Sequence, residues 1–592
     1  MPPEQAPPGS RPPVASSSAR SFSRVDDFLA GWKPLTPWGR DRREARVVYG
    51  DAASIEAILD QGEAWMAFEG RLHSSGREAA LDRIAWHLGR AVRLPEGLGG
   101  REGAFDLVEI QAVRKFLYNY SGIMALLDGA ALAAFAMVEA PQALRSLLDA
   151  GGGEGETFAI GSAFDAGLPP LRAAIAAIGS EIAKAIGSRD SSLLQSSGLA
   201  FAGRDFLILP VGDARVSAGM AAGLLEVSPW DGLSHQVRPR ADASILALED
   251  REALLLARER EVEAEVLLRI SAAMAAEAET LGRCVRGLAE LDLARSRAAL
   301  ASGGSFVRPI FAAGEDLVIE AGRLAPLESE CGEAGQRYTA LDLSLSERAA
   351  LVFGSNMGGK TVALKTVLFL QILAQSGFHL PARSWSGPVY PLIHYVGEGG
   401  TGASVLVKEF AALRPPWTSA GKPDIDKPGG LAGGLSGFGR EIRSFVEASE
   451  WATPGALLAF DEFARTTSSA EAEALLSAIL EHVAARAGMK CLFSTHFRGV
   501  ARLEGVRMLR MRGLDRAAAA LAATELAGGG DLVARVNALM RYELIEDSGE
   551  DGASDAIAIA ELLGLDPRIV ARAEDHHRLA RLGRQGKRQC RK

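Results

Sequence analysis

The sequence predicts a chain of two parts, a mostly α-helical first half followed by an α/β second half with a parallel sheet. Residues 25–240 are rich in Ala and Leu at helical spacing. Residues 241–301 contain no proline and carry a regular apolar stripe. From Phe306 onward, short apolar segments alternate with helical stretches. This alternation is typical of α/β domains.

Composition narrows the class of protein. The chain has 592 residues, of which 48% are hydrophobic, so it can bury a large core and is not globally disordered. Its formal charge of -9 argues against a uniformly basic nucleic-acid binder. Its four cysteines lie far apart with no CxxC pair, which fits a reducing, cytoplasmic setting without structural zinc. Because no apolar run reaches about 18 residues, we expect no membrane span.

The first 240 residues divide into a tail and a helical region. Met1–Ser23 is rich in Pro, Ser and Ala and lacks the layout of a secretory signal. We therefore interpret residues 1–24 as a disordered tail and residues 25–240 as an all-α core. Within this core, Phe206–Pro210 is a short apolar strand candidate.

Residues 241–305 are expected to form one or two long amphipathic helices. Apolar residues recur there at four-residue steps: Val262, Val266, Ile270 and Met274. Together the helices would span up to about 90 Å at about 1.5 Å per residue. Two ordinary bundle helices broken near Gly282 are the alternative.

Residues 306–545 are expected to form the α/β domain. Its strand candidates are Leu317–Glu320, Ala349–Phe353, Ala456–Phe460 and Cys491–Ser494. Residues 401–433 are rich in Pro and Gly and are interpreted as a flexible loop. Residues 576–592 carry seven Arg or Lys and no acid, so the basic tail at 581–592 is either solvated or contacts nucleic acid or an acidic partner.

A phosphate-binding loop follows the strand at Ala349–Phe353. The segment Gly354-Ser-Asn-Met-Gly-Gly-Lys-Thr361 matches G-x-x-x-x-G-K-[ST] and is followed by a helical stretch. In such a loop, backbone N–H groups surround a polyphosphate, and the helix N-terminus favours its negative charge. The sequence therefore predicts ATP binding by Gly354, Ser355, Asn356, Met357, Gly358, Gly359, Lys360 and Thr361. Lys360 would contact the β and γ phosphates, and Thr361 would ligate Mg²⁺.

Two further strand ends supply polar groups. Ala456–Phe460 runs into Asp461 and Glu462. In P-loop ATPases such an acid holds Mg²⁺, and an adjacent glutamate deprotonates the attacking water. The strand at Cys491 ends in His496, which either senses the γ-phosphate or is structural.

Taken together, these motifs resemble those of the MutS family of ATPases. The phosphate-binding loop with its Asn-Met pair is similar to G-P-N-M-x-G-K-S-T. Asp461–Ser469 resembles the family's D-E-x-G-R-G-T-S, and Phe493–Phe497 resembles its F-A-T-H-Y. Gly434–Ile442 resembles G-x-S-T-F-x-x-E-M. Leu35–Gly39 resembles the start of the family core, and Ala553–Pro567 resembles its C-terminal helix-turn-helix. The resemblance implies an ABC-type P-loop ATPase domain of the MutS kind, preceded by a helical core with long lever helices.

The resemblance also implies residue roles. Glu462 would be the general base, His496 the sensor, and Asp461 with Thr361 the Mg²⁺ ligands. Ser436 would reach the partner's γ-phosphate across a homodimer, for which the helix-turn-helix at 546–580 would pair the chains. Tyr338 either stacks on adenine or is a plain packing residue.

The sequence also departs from the family pattern. Ser355 replaces Pro, Ala464 and Thr466 replace two glycines, and Gly437 stands where the family has Thr. We find no N-terminal mismatch-reading segment of the Phe-x-Glu kind.

The resemblance leaves three functions open. The first is a dimeric, Mg²⁺-dependent ATPase that couples ATP to DNA binding in mismatch repair or recombination. The second is a chaperone-like ATPase that reactivates a cobalamin-dependent aminomutase, favoured by the acidic charge. The third is nucleotide binding without hydrolysis.

Overall fold

The computed structural model describes residues 14–150, 158–354, 359–397, 437–451, 455–465, 467–519, 532–547 and 555–589. It divides into two compact units. The first comprises residues 1–78, 128–135 and 289–592, and the second comprises residues 79–127 and 136–288.

The helices of the described residues are, in chain order, α1 (Ser17–Ser23), α2 (Val25–Leu29), α3 (Pro37–Ala45), α4 (Ala52–Ser74), α5 (Ala79–Arg90), α6 (Leu107–Met124), α7 (Gly129–Ala134), α8 (Gln142–Asp149), α9 (Leu168–Ser197), α10 (Ala214–Ala221), α11 (Ala243–Ala276), α12 (Ala278–Ala301), α13 (Ala325–Glu333), α14 (Lys360–Gln375), α15 (Gly437–Trp451), α16 (Ser469–Ala485), α17 (Leu532–Leu539), α18 (Asp555–Leu562) and α19 (Pro567–Gln589). The strands are β1 (Leu207–Pro210), β2 (Leu225–Pro229), β3 (Ser234–Pro239), β4 (Ile310–Phe311), β5 (Leu317–Gly322), β6 (Leu341–Leu345), β7 (Ala349–Phe353), β8 (Ser384–Gly387), β9 (Leu392–Val396), β10 (Ala456–Phe460), β11 (Met489–Thr495), β12 (Val506–Leu514) and β13 (Met540–Glu546).

The second unit is mostly helical but contains a small sheet. Strands β1, β3 and β2 pair antiparallel in that order. Leu225 and Val237 are buried in its core, and Asp231 accepts a hydrogen bond from the backbone N–H of Leu233 in the turn between β2 and β3. The strand candidate Phe206–Pro210 is confirmed by β1, but the expectation of an all-α core was wrong here, because the short strands β2 and β3 form a hairpin around an Asp-Gly turn.

Residues 241–301 form two long helices, α11 and α12. The break between them falls at Glu277, five residues before Gly282. Ile270 and Met274 of the predicted apolar stripe are fully buried within the second unit.

The first unit is built on a six-stranded sheet with strand order β13-β12-β7-β11-β10-β9. Strands β12, β7, β11, β10 and β9 are parallel, as predicted, and β13 pairs antiparallel with β12. The predicted strand Leu317–Glu320 is confirmed within β5, but it lies in a separate four-stranded sheet, β4-β8-β5-β6, which mixes both directions and was not predicted as a sheet.

The central strands are buried on both faces. Every residue of β7, β10 and β11 is buried, as expected for a covered parallel sheet. Because side chains alternate between faces, Val352 and Leu457 share one core with α14, while Leu351 and Phe460 share the other with α16. The sheet thus holds its strand ends rigidly.

The predicted disordered tail is wrong from residue 14 onward. Ser16 caps helix α1 by accepting a hydrogen bond from the Ala19 N–H, and Ala19 is fully buried. His394 Nδ1 lies 2.8 Å from Ser16 Oγ, and Ser18 Oγ donates to the Tyr395 carbonyl at 2.9 Å. These contacts order a polar segment because they attach it to β9. Residues 1–13 lie outside the described residues.

The Leu35–Gly39 segment is fixed to α12 by a buried carboxylate. Asp292, which is fully buried, accepts hydrogen bonds from Leu35 N, Thr36 N and Thr36 Oγ1. A side chain at Gly39 would meet the same carboxylate, because its Cβ would lie 2.7 Å from Asp292 Oδ2.

The C-terminal part contains the predicted helix-turn-helix, formed by α18 and α19 around Gly564 at φ +90°. The segment 581–592 was predicted to be a separate basic tail. Its backbone instead belongs to helix α19 as far as Gln589. The 401–433 loop lies outside the described residues. Among the helices that are described, none combines the length and apolar character needed to cross a membrane.

Candidate nucleotide-binding site

The end of β7 and the start of α14 form one wall of the site. Gly359 has φ +90°, and a Cβ there would lie 3.0 Å from the Tyr542 ring, so glycine suits this position. Lys360 is buried, and its Nζ donates a hydrogen bond to the Gly354 carbonyl at 2.8 Å. Ser355, Asn356, Met357 and Gly358 lie outside the described residues.

The acid pair lies against this wall. Asp461 follows β10, and its Oδ2 accepts a hydrogen bond from Thr361 Oγ1 at 2.8 Å. Thr361 and Asp461 are a hundred residues apart in sequence, yet they are in contact because β7 and β10 are parallel and end at the same edge of the sheet. Burial lowers the pKa of Lys360, although the charges of Glu462 and Asp461 oppose the shift.

Ser494 connects the two acids, and the sequence motifs assigned no role to it. Its Oγ donates to Asp461 Oδ1 and accepts a hydrogen bond at 2.9 Å from the Glu462 N–H. The parallel register pairs Phe460 with Phe493, so the next residue on each strand lies side by side. The sequence alone carries no signal for this position, because the register depends on which strands are neighbours.

Glu462 and Ala464 adopt left-handed backbone conformations. Glu462 has φ +52° and Ala464 has φ +64°, a region that side chains beyond glycine seldom occupy. Two contacts accompany this geometry: Arg465 Nη1 donates to Glu462 Oε2 at 3.0 Å, and the Ala464 N–H donates to Glu441 Oε2 at 2.8 Å. Burial raises the pKa of Glu441.

Glu441, a residue of the predicted signature segment Gly434–Ile442, therefore ties α15 to the acid-pair loop. The alanine at 464 departs from the family's glycine, and a carboxylate holds its backbone in the conformation that glycine would adopt most readily. Ser436 itself lies outside the described residues.

The two remaining predicted site residues lie in different surroundings. His496 follows β11, is exposed, and contacts the Phe497 ring at a centroid distance of 4.2 Å. The Tyr338 hydroxyl accepts a hydrogen bond from the Leu324 N–H at 2.7 Å, and its ring packs on the core of the first unit. Burial raises the pKa of Tyr338. These contacts favour the packing alternative for Tyr338.

The oxygens of Thr361 and Asp461 fit Mg²⁺, which prefers one or two carboxylates or hydroxyls together with phosphates and water. Among the described residues, no group of three or more His, Cys, Asp or Glu side chains has a metal-binding arrangement. The oxygens of Thr361 and Asp461 therefore suit a cation that a bound polyphosphate also ligates.

Comparisons with known proteins point to one family. The family described as MutS domain V matches residues 425–580, a range that contains Asp461, Glu462 and His496. Similar curated proteins include the DNA mismatch repair protein MutS of Paracoccus denitrificans, with 30% identity over 56% of this chain and 34% of that protein. Those of Granulibacter bethesdensis (33% identity, 45% of this chain, 26% of that protein) and Solibacter usitatus (28%, 55% and 32%) are also similar.

The matched region thus spans about a third or less of each of these relatives. The domain V match contains the acid pair but begins after the phosphate-binding loop. Over the matched region, the chain is related to the MutS proteins.

Proposed function

We propose that this protein is a Mg²⁺-dependent ATPase of the MutS kind. The observation that carries the proposal is the 2.8 Å hydrogen bond from Thr361 Oγ1 to Asp461 Oδ2. The bond lies at the carboxyl ends of parallel strands, where α/β proteins bind ligands, and it supports a nucleotide site shared by the phosphate-binding loop and the acid pair.

Different residues would bind the phosphates and the Mg²⁺ ion. The backbone N–H groups of residues 354–361 would surround the phosphates, and Lys360 would exchange the Gly354 carbonyl for β and γ phosphate oxygens. A buried ammonium gains more from an anion than an exposed one, because water screens the attraction less. Thr361 and Asp461 would hold Mg²⁺, which neutralises charge that develops on the phosphates.

Glu462 is the proposed general base. Ser494 fixes its backbone, and Arg465 pairs with its carboxylate. The Arg465 contact must loosen before the carboxylate accepts a proton from water, so Arg465 would control when the base is available. His496 is exposed next to β11 and would contact the γ-phosphate. To contact adenine, the Tyr338 side chain would have to break its hydrogen bond with the Leu324 N–H and turn away from it.

Steady-state ATP turnover tests this proposal. The unsubstituted protein should hydrolyse ATP in Mg²⁺ and lose activity in EDTA. Lys360→Ala and Glu462→Gln should each lower kcat by about 100-fold or more, since single electrostatic groups contribute factors of about 10²–10³. Glu481→Gln, on the exposed face of α16, is the matched control and should retain activity. Magnesium-independent turnover, or full activity in Lys360→Ala, would exclude the proposal.

We further propose that the ATPase acts as a homodimer on DNA. The support is that the similar proteins are DNA mismatch repair proteins. Ser436 and the helix-turn-helix of α18 and α19 would form the dimer contacts. DNA binding through phosphates predicts an affinity that falls steeply as salt rises.

A salt titration of duplex, branched and single-stranded DNA, with and without ATP, tests the DNA partner. Salt-dependent binding supports it. Intact ATPase activity without DNA binding at low salt would instead favour the protein client, a cobalamin-dependent aminomutase, which the formal charge of -9 makes the second candidate.

A further inference from the structure

A cavity lies within the first unit, apart from the proposed nucleotide site. Its volume is about 290 Å³, and its walls come from the N-terminal residues 20–61, α12, and residues 372–378. The apolar part of the wall includes Trp32 and Phe378, and the polar part includes Arg42, Tyr49 and Arg297. The volume lies just below the range of about 300–1,000 Å³ that is common for small-molecule sites.

Arg297 is the unusual member of this wall. Its side chain is 92% buried, because the residue keeps only 8% of its accessible surface. Its Nε has no hydrogen-bond partner, and no ion pair joins its guanidinium to a carboxylate of the described residues. Its charge faces the rings of Trp32 and Phe378 at 5.2 and 5.3 Å. Burial lowers the pKa of Arg297.

A buried cation without a carboxylate is costly. Proteins bury charges when those charges are paired or bound to a ligand, because desolvation otherwise opposes folding. Contacts with two aromatic rings return only part of this energy. The cavity therefore presents a buried donor that lacks an anionic partner.

Most of the other charges of the wall are positive as well. Four arginines line the cavity: Arg20, Arg42, Arg46 and Arg297. Glu290 is the acid of the wall, and Asp26 pairs with both Arg20 and Arg46 from outside the cavity lining. The balance of charge around the cavity is positive.

We propose that this cavity binds a small organic anion, a phosphate or carboxylate carried on a planar apolar body, and that Arg297 holds the anionic group. A guanidinium matches both groups because its N–H donors form a planar fork. The apolar body would lie on the Trp32 and Phe378 side of the cavity. The proposal is independent of ATP hydrolysis and needs no residue of the nucleotide site.

The cavity also touches the helix that starts at the phosphate-binding lysine. Ile372 and Ser376, at the C-terminal end of α14, line it. Lys360 begins the same helix, which is about 24 Å long at about 1.5 Å per residue. A bound anion would therefore contact the far end of α14.

Phenyl phosphate is a suitable probe, because it combines a phosphate with a flat apolar ring. Titrations should use the full chain with Lys360→Ala, so that the phosphate-binding loop does not contribute. Phenyl phosphate and benzoate should raise the unfolding temperature in a dose-dependent way, as expected for ligands of the native state, while neutral phenol should not. No shift with either anion at millimolar concentration would overturn the proposal.

Substitutions locate the site. Arg297→Met should weaken phenyl phosphate binding at least tenfold and should raise the unfolding temperature of the ligand-free protein, because it removes an unpaired buried charge. Arg297→Lys should retain part of the binding. Arg83→Met, an exposed arginine of the second unit, is the control and should bind like its parent. Equal affinity in Arg297→Met and its parent would contradict the assignment.

A second variant covers the case in which Arg297→Met fails to fold. Ala57 is exposed and lines the cavity, so Ala57→Trp would fill it from the surface of α4. This variant should fold and lose phenyl phosphate binding. Unchanged binding in Ala57→Trp would place the anion elsewhere and overturn the proposal.

Discussion

At the scale of single residues, the site depends on a hydroxyl as much as on its acids. Asp461 and Glu462 were predictable because two acids directly follow a wholly apolar strand. The position of Ser494 was not predictable, since it follows from the register between β10 and β11, and a sequence does not reveal which strands are neighbours. Ser494 orients both acids through its two hydrogen bonds.

Ser494→Ala should lower kcat for ATP by about 10–100-fold, the usual effect of removing a group that orients a metal ligand. The apparent affinity for Mg²⁺ should fall, while ATP binding without metal should not change. Ser494→Thr keeps the hydroxyl and should restore most of the activity. A merely structural serine would instead change the unfolding temperature and leave the Mg²⁺ dependence as it is.

Ala464→Gly should leave stability nearly unchanged, although it removes a buried methyl group. The lost methyl costs about 0.8 kcal/mol, and glycine adds an entropic cost of about 0.5–1 kcal/mol. Relief of the left-handed conformation at φ +64° returns about 1–2 kcal/mol.

Ala459→Gly is the matched control, because Ala459 is equally buried but lies in regular strand β10. Ala459→Gly also loses a buried methyl group and adds the entropic cost of glycine, but it relieves no left-handed conformation. It should therefore destabilise the protein by about 1.5 kcal/mol. Thermal unfolding of the two variants measures the difference. Equal destabilisation would show that the backbone at 464 is unstrained.

At the scale of elements, α1 shows why composition misled the prediction. A Pro-, Ser- and Ala-rich segment favours disorder unless particular partners order it. Here Ser16 and Ser18 bond to β9, and the Phe22 ring stacks on Tyr395 at 3.5 Å. Those partners lie more than 370 residues away in sequence, so local composition carried no sign of them.

The contact between α1 and β9 should make stability depend on pH. Burial lowers the pKa of His394 to about 3, against an ordinary value of 6.5. The unfolded chain therefore binds a proton more readily than the folded protein between these values. The stability that neutral His394 contributes is fully present above pH 6.5 and is lost as the pH falls from 6.5 towards 3.

His394→Asn removes this titration and keeps a polar partner for Ser16. Its unfolding temperature should fall less than that of the unsubstituted protein between pH 6.5 and pH 4. At pH 8 the variant should be the less stable of the two, because it leaves a small cavity. If the unfolding temperatures of the two proteins fall equally between pH 6.5 and pH 4, the assigned role of His394 is contradicted.

At the scale of the whole molecule, the α/β half followed from the sequence more closely than the helical half. The buried strands β7, β10 and β11 read as continuous apolar runs with polar groups at their ends. Strands β2 and β3 are short, partly exposed and polar, so they have no comparable signature. The antiparallel β13 was missed for the same reason.

The candidate site lies wholly within the first unit. Its described residues come from four places along the chain, at 354 with 359–361, at 441, at 461–465 and at 494–496, and the fold brings them together. The sequence identified the types of group, while the contacts among Glu441, Ala464, Arg465 and Ser494 required the fold.

A double-mutant cycle on MgATP affinity tests most directly whether the two segments act on one nucleotide. Binding would be measured by calorimetry for the unsubstituted protein, Thr361→Ala, Asp461→Asn and the double variant. If both side chains hold the same cation, the losses should be non-additive, with a coupling energy of about 0.5–3 kcal/mol. Losses that add within about 0.3–0.5 kcal/mol would mean that Thr361 and Asp461 act independently, which would contradict a shared site.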